Sequence, residues 1–224
     1  QPYVYGDRDA SVANSVIYWN CTTVTISGLE AGKTYYYDVA GNFEYKDEAN
    51  TFSLLEFVKL DGYDKSGFTF TTAKDANSDS FEFLTIADIQ GMIQSMYDES
   101  HEAVSALLKD ERVNGYDFIL HAGDMCDNGK NFGQWGMALN TYQDLTINTS
   151  VFFTSGNHEN NTGAMARYFN YTENKDGNVQ AISGEYYSFD YANAHFTVLD
   201  TNDATSDGLG AEQLAWLKND LANT

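Results

Sequence analysis

Cysteine is nearly missing from this 224-residue chain: Cys21 and Cys126 are the only two, and they fall in segments read below as separate domains. A disulfide between them is therefore not expected, and their scarcity does not decide the compartment. Basic residues are also few, 12 Lys and Arg against 33 Asp and Glu, for a formal charge of -21. Such a surface repels phosphate backbones and anionic lipid, which argues against nucleic-acid binding outside a charge-neutralised pocket. No apolar run approaches the roughly 20 residues that span a bilayer, so membrane insertion is not expected. Gln1 opens onto polar, folded-looking sequence rather than a signal peptide, as a processed product would. Proline occurs once, at Pro2. With the high Tyr and Asn content and the acidity, this suits a secreted or cell-surface protein.

What is present suffices for packed cores. The chain is 42% hydrophobic and 15% aromatic, and long enough for one large domain or two modest ones. Four Asn-x-Ser/Thr triplets begin at Asn20, Asn148, Asn160 and Asn170. An Asn- and Thr-rich chain produces about that many by chance.

Two regimes follow one another. Up to residue 72, short aromatic and β-branched runs recur at Ser15–Trp19, Thr22–Ser27, Lys33–Val39, Leu55–Leu60 and Gly67–Thr72. Turn formers separate them, including Gly28, Gly32, Gly41-Asn42 and Asp61-Gly62. This predicts a small all-β sandwich over 1–72. Residues 73–80 are small and polar and read as a linker.

From 81 to 224 strands and helices alternate. Strands are predicted at Phe81–Ala87, buried on both faces, at Asp117–His121, Val151–Thr154, Tyr186–Tyr191 and His195–Leu199. Helical stripes carry Ala103, Val104, Leu107 and Leu108, then Trp135, Leu139 and Tyr142, then Leu214, Leu217 and Leu221. Strand-helix-strand spacing of this kind implies an α/β fold with a mainly parallel sheet.

The first three of these strands run into polar clusters: Asp88-Ile89-Gln90, Gly123-Asp124-Met125-Cys126-Asp127 and Gly156-Asn157-His158-Glu159. Ligands of parallel α/β sheets bind beyond the carboxyl ends of the strands. Asp88, Asp124 and Asn157 are therefore placed to meet in one crevice. Their oxygens, with imidazole nitrogen, suit hard or borderline divalent ions, and a carboxylate can bridge two of them. The glycines before Asp124 and Asn157 allow sharp turns. Four other side chains read as structural: Cys126 as a buried small hydrophobe, His121 as a core or ligand-supporting residue, His101 as solvated, and His195 as a satisfied strand residue.

In that order, these three clusters resemble the motifs of the calcineurin-like metallophosphoesterase family. The sandwich in front makes the purple acid phosphatase branch the most similar. The run Tyr187–Thr201 and the segment Glu212–Leu217 fit that branch too. Gly28–Tyr37, with Leu29 six residues before Tyr35, resembles the tyrosine corner of fibronectin type III domains, or is simply an aromatic strand after a turn.

The resemblance implies two divalent metal ions (Fe, Mn or Zn). Asp88 would ligate the first, Asp124 would bridge both, and Asn157 would ligate the second. Gln90 stands where many members have a ligand His, and either ligates or lines the pocket. His158 would contact the substrate phosphate and assist the leaving group, and Asp127 would orient the loop or a ligand. A Tyr stands at the position of Asp127 in the purple enzymes, so a colourless divalent pair is expected. Family members continue with a further His and a Gly-His-x-His loop that nothing here matches, so the chain is expected to be nearly inactive alone. The implied activity is hydrolysis of a small phosphate ester. An extracellular phosphodiesterase or nucleotidase, or a non-catalytic surface-binding scaffold, are the alternatives.

Overall fold

The structure is a computed structural model that describes residues 24–38, 68–159, 185–203 and 208–224. It also describes residues 163, 165, 168 and 169, and the backbone of 40–46 and 51–57. The predicted strand Ser15–Trp19, Cys21 and the turn at Asp61-Gly62 lie outside the described residues.

Strands β5 (Phe83–Ile86), β6 (Phe118–His121) and β7 (Ser150–Phe153) form a parallel sheet in the order β5-β6-β7. Helix α1 (Gln94–Leu108) and helices α2 (Phe132–Thr141) and α3 (Gln143–Thr146) make the two crossovers. Period-2 alternation sorts β6 between two cores. Ile119 joins Ile86, Tyr97, Trp135, Ala138 and Phe153 on the helix side. Phe118 and Leu120 face the antiparallel hairpin of β8 (Tyr187–Tyr191) and β9 (Ala194–Val198).

That second core is an aromatic layer. Phe118, fully buried, stacks on Phe83 at 5.1 Å and lies 4.7 Å from Tyr191, and meets Phe152, Phe189 and Phe196 edge-on. Offset and edge-on rings add to what burial alone contributes. Helix α2 begins where Asn131 accepts hydrogen bonds from the N–H groups of Gly133 and Gln134, an N-cap of the preferred residue type. Helix α1 starts well ahead of the stripe read from its sequence, and Leu107, placed on that stripe, is 51% exposed.

Several expectations are corrected. β5 is not buried on both faces: within the described sheet it is an edge strand, and Phe83 is 42% exposed. Gly41-Asn42 is not a turn but lies inside strand β2 (Ala40–Lys46), opposite Glu56 and Leu55 of β3 (Thr51–Phe57). Val24–Ser27 forms no strand: no described segment pairs with it, and Val24 is 74% exposed. The remaining N-terminal pair is β1 (Thr34–Tyr36) against β4 (Thr69–Thr71). Residues 73–80 have irregular backbone, yet Lys74 is anchored, its Nζ 2.9 Å from Asp117 and its carbonyl accepting from the Ala192 N–H.

Helix α4 (Ala211–Ala222) is fastened to the hairpin by one buried carboxylate. Asp220 accepts from Ser188 Oγ at 2.6 Å and Thr197 Oγ1 at 3.1 Å, and lies 3.0 Å from His195 Nε2. His195 Nδ1 is 2.6 Å from Asp190, so the imidazole bridges two carboxylates and is a satisfied strand residue. Burial pulls the His195 imidazole down, but Asp220 and Asp190 outweigh it and its pKa lies above the ordinary value. Burial likewise pushes Asp220 up, and its bonds from His195, Ser188 and Thr197 outweigh that, holding it below the usual range. The raised imidazole contributes stability below its unfolded pKa of about 6.5, lost as pH rises through the folded value. The depressed carboxylate contributes above its unfolded pKa of about 3.9, lost as pH falls through the folded value. The pair is therefore strongest between roughly pH 4 and 6.5. Asp220→Asn should lower the melting temperature more at pH 5.5 than at pH 9. Equal losses at both values, by circular dichroism, would show that the charge pair is not what fastens α4.

Candidate metal centre

The carboxyl ends of β5, β6 and β7 open on one rim, and each supplies one of the three expected ligands. The sheet continues briefly into the loops: the Ala122 N–H donates to Ile86 O at 2.8 Å, and the Asp88 N–H to Gly123 O at 3.1 Å. Asp88 and Asp124 both have φ 54. That left-handed backbone is sparsely populated by residues other than glycine and costs of order 1 kcal/mol or more. Strain of this kind persists only where neighbours over-determine it, and it falls here on two of the predicted cation ligands.

Two glycines let the β6 and β7 loops touch. A Cβ on Gly123 would lie 2.7 Å from the Gly156 nitrogen, and Gly123 also has φ +99. A Cβ on Gly156 would collide with Asp124 Oδ1 and its backbone nitrogen. Only glycine permits so close an approach. Asp124 itself is buried, and its Oδ1 accepts from the His158 N–H at 3.1 Å.

Glu159, 1% exposed, clamps the two loops together. Its Oε2 accepts from the Asp124 N–H at 2.9 Å and the Gly156 N–H at 3.0 Å, and its Oε1 from the Cys126 N–H at 3.0 Å. Burial raises the carboxyl pKa, and these three donors oppose the rise. No role was read for Glu159 in the sequence. The signal available was a carboxylate directly following Gly-Asn-His, where charge next to a ligand loop demands a partner.

His158 is aimed by its neighbours. Its Nδ1 lies 2.5 Å from the backbone carbonyl of Asp127. A carbonyl only accepts, so Nδ1 carries the proton and Nε2 is left for a ligand or substrate. The Asp127 carbonyl raises the His158 pKa most, and the Asp124, Asp127 and Glu159 carboxylates add to it. Asp127 thus supports His158 through its main chain.

Gln90, with its amide nitrogen turned inward, donates at 3.1 Å to the carbonyls of both Asp88 and Asp124. It stitches the β5 loop to the β6 loop, and only its Oε1 could meet a cation. Burial lowers the His121 pKa to about 4, so the ring is neutral. Its Nδ1 accepts from the Gly123 N–H at 3.3 Å while its ring stacks on Phe153, making it a core residue beneath the site. His101 is not merely solvated: its Nε2 lies 2.9 Å from Asp144. Cys126 is a free, buried thiol, and burial pushes its pKa up.

Among the described residues, no three His, Cys, Asp or Glu side chains are grouped closely enough to hold a metal by themselves. What the rim offers is Asp88, Asp124 and the Asn157 amide: two carboxylates and a neutral oxygen on strained or glycine-nested loops. This donor chemistry fits part of the shell of a hard or borderline divalent ion.

Removing the clamp should be costly. Glu159→Ala leaves three backbone donors without their acceptor, at about 1–3 kcal/mol for each that stays buried. Glu159→Gln keeps the shape and one acceptor oxygen and should lose less. Urea unfolding of both variants checks the order, and an alanine variant as stable as the parent would refute the clamp.

No curated protein matches the chain. Among the solved structures that match is the purple acid phosphatase PPD1 from yellow lupin (Lupinus luteus) seeds, similar at 19% identity with a TM-score of 0.48. That match covers 70% of this chain and 30% of the phosphatase, so the chain spans under a third of its length. The calcineurin-like phosphoesterase family model matches residues 81–221, more than half of the chain, from the lead-in to β5 through α4. The chain belongs to the calcineurin-like phosphoesterase family.

Proposed function

We propose that this chain carries part of the dinuclear-metal centre of a secreted or cell-surface phosphatase that hydrolyses a small phosphate ester. The observation that carries the reading is the convergence of three strand-end loops. Asp88, Asp124 and His158 are drawn together there by main-chain bonds, Gly123 and Gly156 are nested, and Glu159 is the clamp. Asp88 and Asn157 would each hold one ion and Asp124 would bridge them, with Gln90 Oε1 available to the first site. A divalent pair (Mn, Fe or Zn) bound there supplies positive charge to the phosphoryl oxygens and acidifies water.

The chain's own residues do the rest. With Nδ1–H given to the Asp127 carbonyl, His158 presents Nε2 to the ester. In its protonated form that nitrogen donates to the departing oxygen. The charge of -21 keeps polyanions away, so the substrate is a small phosphorylated molecule rather than a nucleic acid.

The N-terminal strands fit a fibronectin-like spacer. Tyr35 Oη accepts from the Glu30 N–H at 2.9 Å, the local bond of a tyrosine corner.

Metal binding and turnover separate the roles. In calorimetric titrations with Mn²⁺, Asp124→Asn and Asn157→Ala should each weaken binding by about tenfold or more, as loss of a ligand or its support does. His158→Ala should keep the metal affinity. In the native enzyme it should slow p-nitrophenyl phosphate hydrolysis by roughly 10²-fold, the usual share of a positioned proton donor. Unchanged Mn²⁺ affinity in Asp124→Asn would overturn the metal-centre reading. Preference for bis-p-nitrophenyl phosphate over the monoester would replace the phosphatase by a phosphodiesterase.

A further inference from the structure

One residue far along the chain reaches back to the ligand loop. Asn202 lies in a 3-10 turn (Thr201–Asp203) between β9 and α4. Its Nδ2 donates to Gly156 O at 3.2 Å and Ser155 O at 3.4 Å, the two carbonyls just before Asn157. Each carbonyl shares a rigid peptide plane with the next nitrogen. Holding both fixes the planes 155–156 and 156–157, and so the direction from which the Asn157 side chain leaves the backbone. From the other side the Gly156 N–H is bound by Glu159. The Ser155–Gly156 peptide, two residues ahead of the Asn157 side chain, is gripped from both sides.

Asn202 is itself held. Asp200, 4% exposed, accepts from the Asn202 backbone N–H at 2.9 Å and from Nδ2 at 2.8 Å through one oxygen. The fully buried Gln213 of α4 locks this turn. Its Oε1 accepts from the Asp200 N–H, and its Nε2 donates to Asp200 O, both at 2.9 Å, and to Asp203 Oδ2 at 3.2 Å. Gly210 at the start of α4 lies so close to the Asp203 carboxylate that a Cβ there would collide with it. An unbroken line of bonded groups runs from α4 through Gln213, Asp200 and Asn202 to the loop that presents Asn157.

We infer that Asn202 is a positioning residue for the centre, which braces the Ser155-Gly156 carbonyls so that Asn157 is presented at a fixed angle. The inference deepens the proposed function and rests on it for its consequence, since a fixed Asn157 matters to a cation only if one binds there. The brace itself is a property of the metal-free chain.

Two variants and two readouts test it. Asn202→Asp keeps the size but turns an oxygen toward two carbonyls. Asn202→Ala removes the donor without adding charge. In the metal-free chain, both should speed hydrogen exchange at the Gly156 and His158 amides by about tenfold, the worth of roughly one hydrogen bond. The Ile119 and Leu120 amides of β6 should keep their rates, and the melting temperature of Asn202→Ala, which sets no new charge against Asp200, should stay close to that of the parent. Mn²⁺ should bind Asn202→Ala about tenfold more weakly, as after loss of a ligand-orienting group. Unchanged exchange at Gly156 and His158 would overturn the brace. Faster exchange with unchanged Mn²⁺ affinity would overturn its role in positioning Asn157. A parent chain that binds no Mn²⁺ would instead sink the metal-centre reading, while the exchange data would still decide the brace.

Discussion

Three backbone N–H groups, from Asp124, Cys126 and Gly156, point at the buried carboxylate of Glu159. Taking a carboxylate out of water is costly unless its lone pairs are filled, and charge-assisted bonds from main-chain donors are among the stronger ways to fill them. Because those donors belong to two different loops, the charge cannot be satisfied unless the loops after β6 and β7 lie side by side. The nesting of Gly123 against Gly156, the left-handed Asp124 and the bond from His158 to Asp124 all presuppose that arrangement. The strain at Asp124 is tolerated because its neighbours leave it no other conformation.

The scaffold beneath explains why the loops arrive in register. β6 lies between β5 and β7, so its two neighbours set both of its flanks, and their parallel pairing brings all three carboxyl ends to one side. One face of the sheet is covered by α1 and α2 around Trp135 and Tyr97, the other by the β8–β9 hairpin through Phe118 and its ring of aromatic neighbours. The hairpin does more than cover that face. Through Asp220 it holds α4, and from the turn between β9 and α4 comes Asn202, which touches the β7 loop. Apolar packing thus places polar groups that packing alone could not orient.

The N-terminal strands are fastened to the same body by polar contacts. Tyr37 Oη donates to Ile147 O at 2.6 Å, and the Thr69 N–H donates to Asn148 Oδ1 at 2.9 Å. Asn148 opens one of the four Asn-x-Ser/Thr triplets, and here its side chain is engaged in joining β4 to the lead-in of β7.

Much of this could be read from local pattern. Apolar runs at Asp117–His121 and Val151–Thr154, the stripe around Trp135, and the polar cluster after each strand follow from period and turn chemistry, which act over a few residues. Asp88, Asp124 and Asn157 could be placed as candidates because residue type and position at a strand end carry chemical meaning, while the role expected of His158 came from the family resemblance. The rest depends on which distant groups come face to face. Gly41-Asn42 has the composition of a turn, but seven residues of β3 pair across β2 and hold it extended. Glu159 and Asn202 look like ordinary polar loop residues in one dimension, and Gln90 reads there as a ligand or a pocket residue rather than as a link between two loops. Their meaning comes from carbonyls and amides up to 47 residues away, and a sequence period has no term for a hydrogen bond whose two ends meet only after the sheet has set their register.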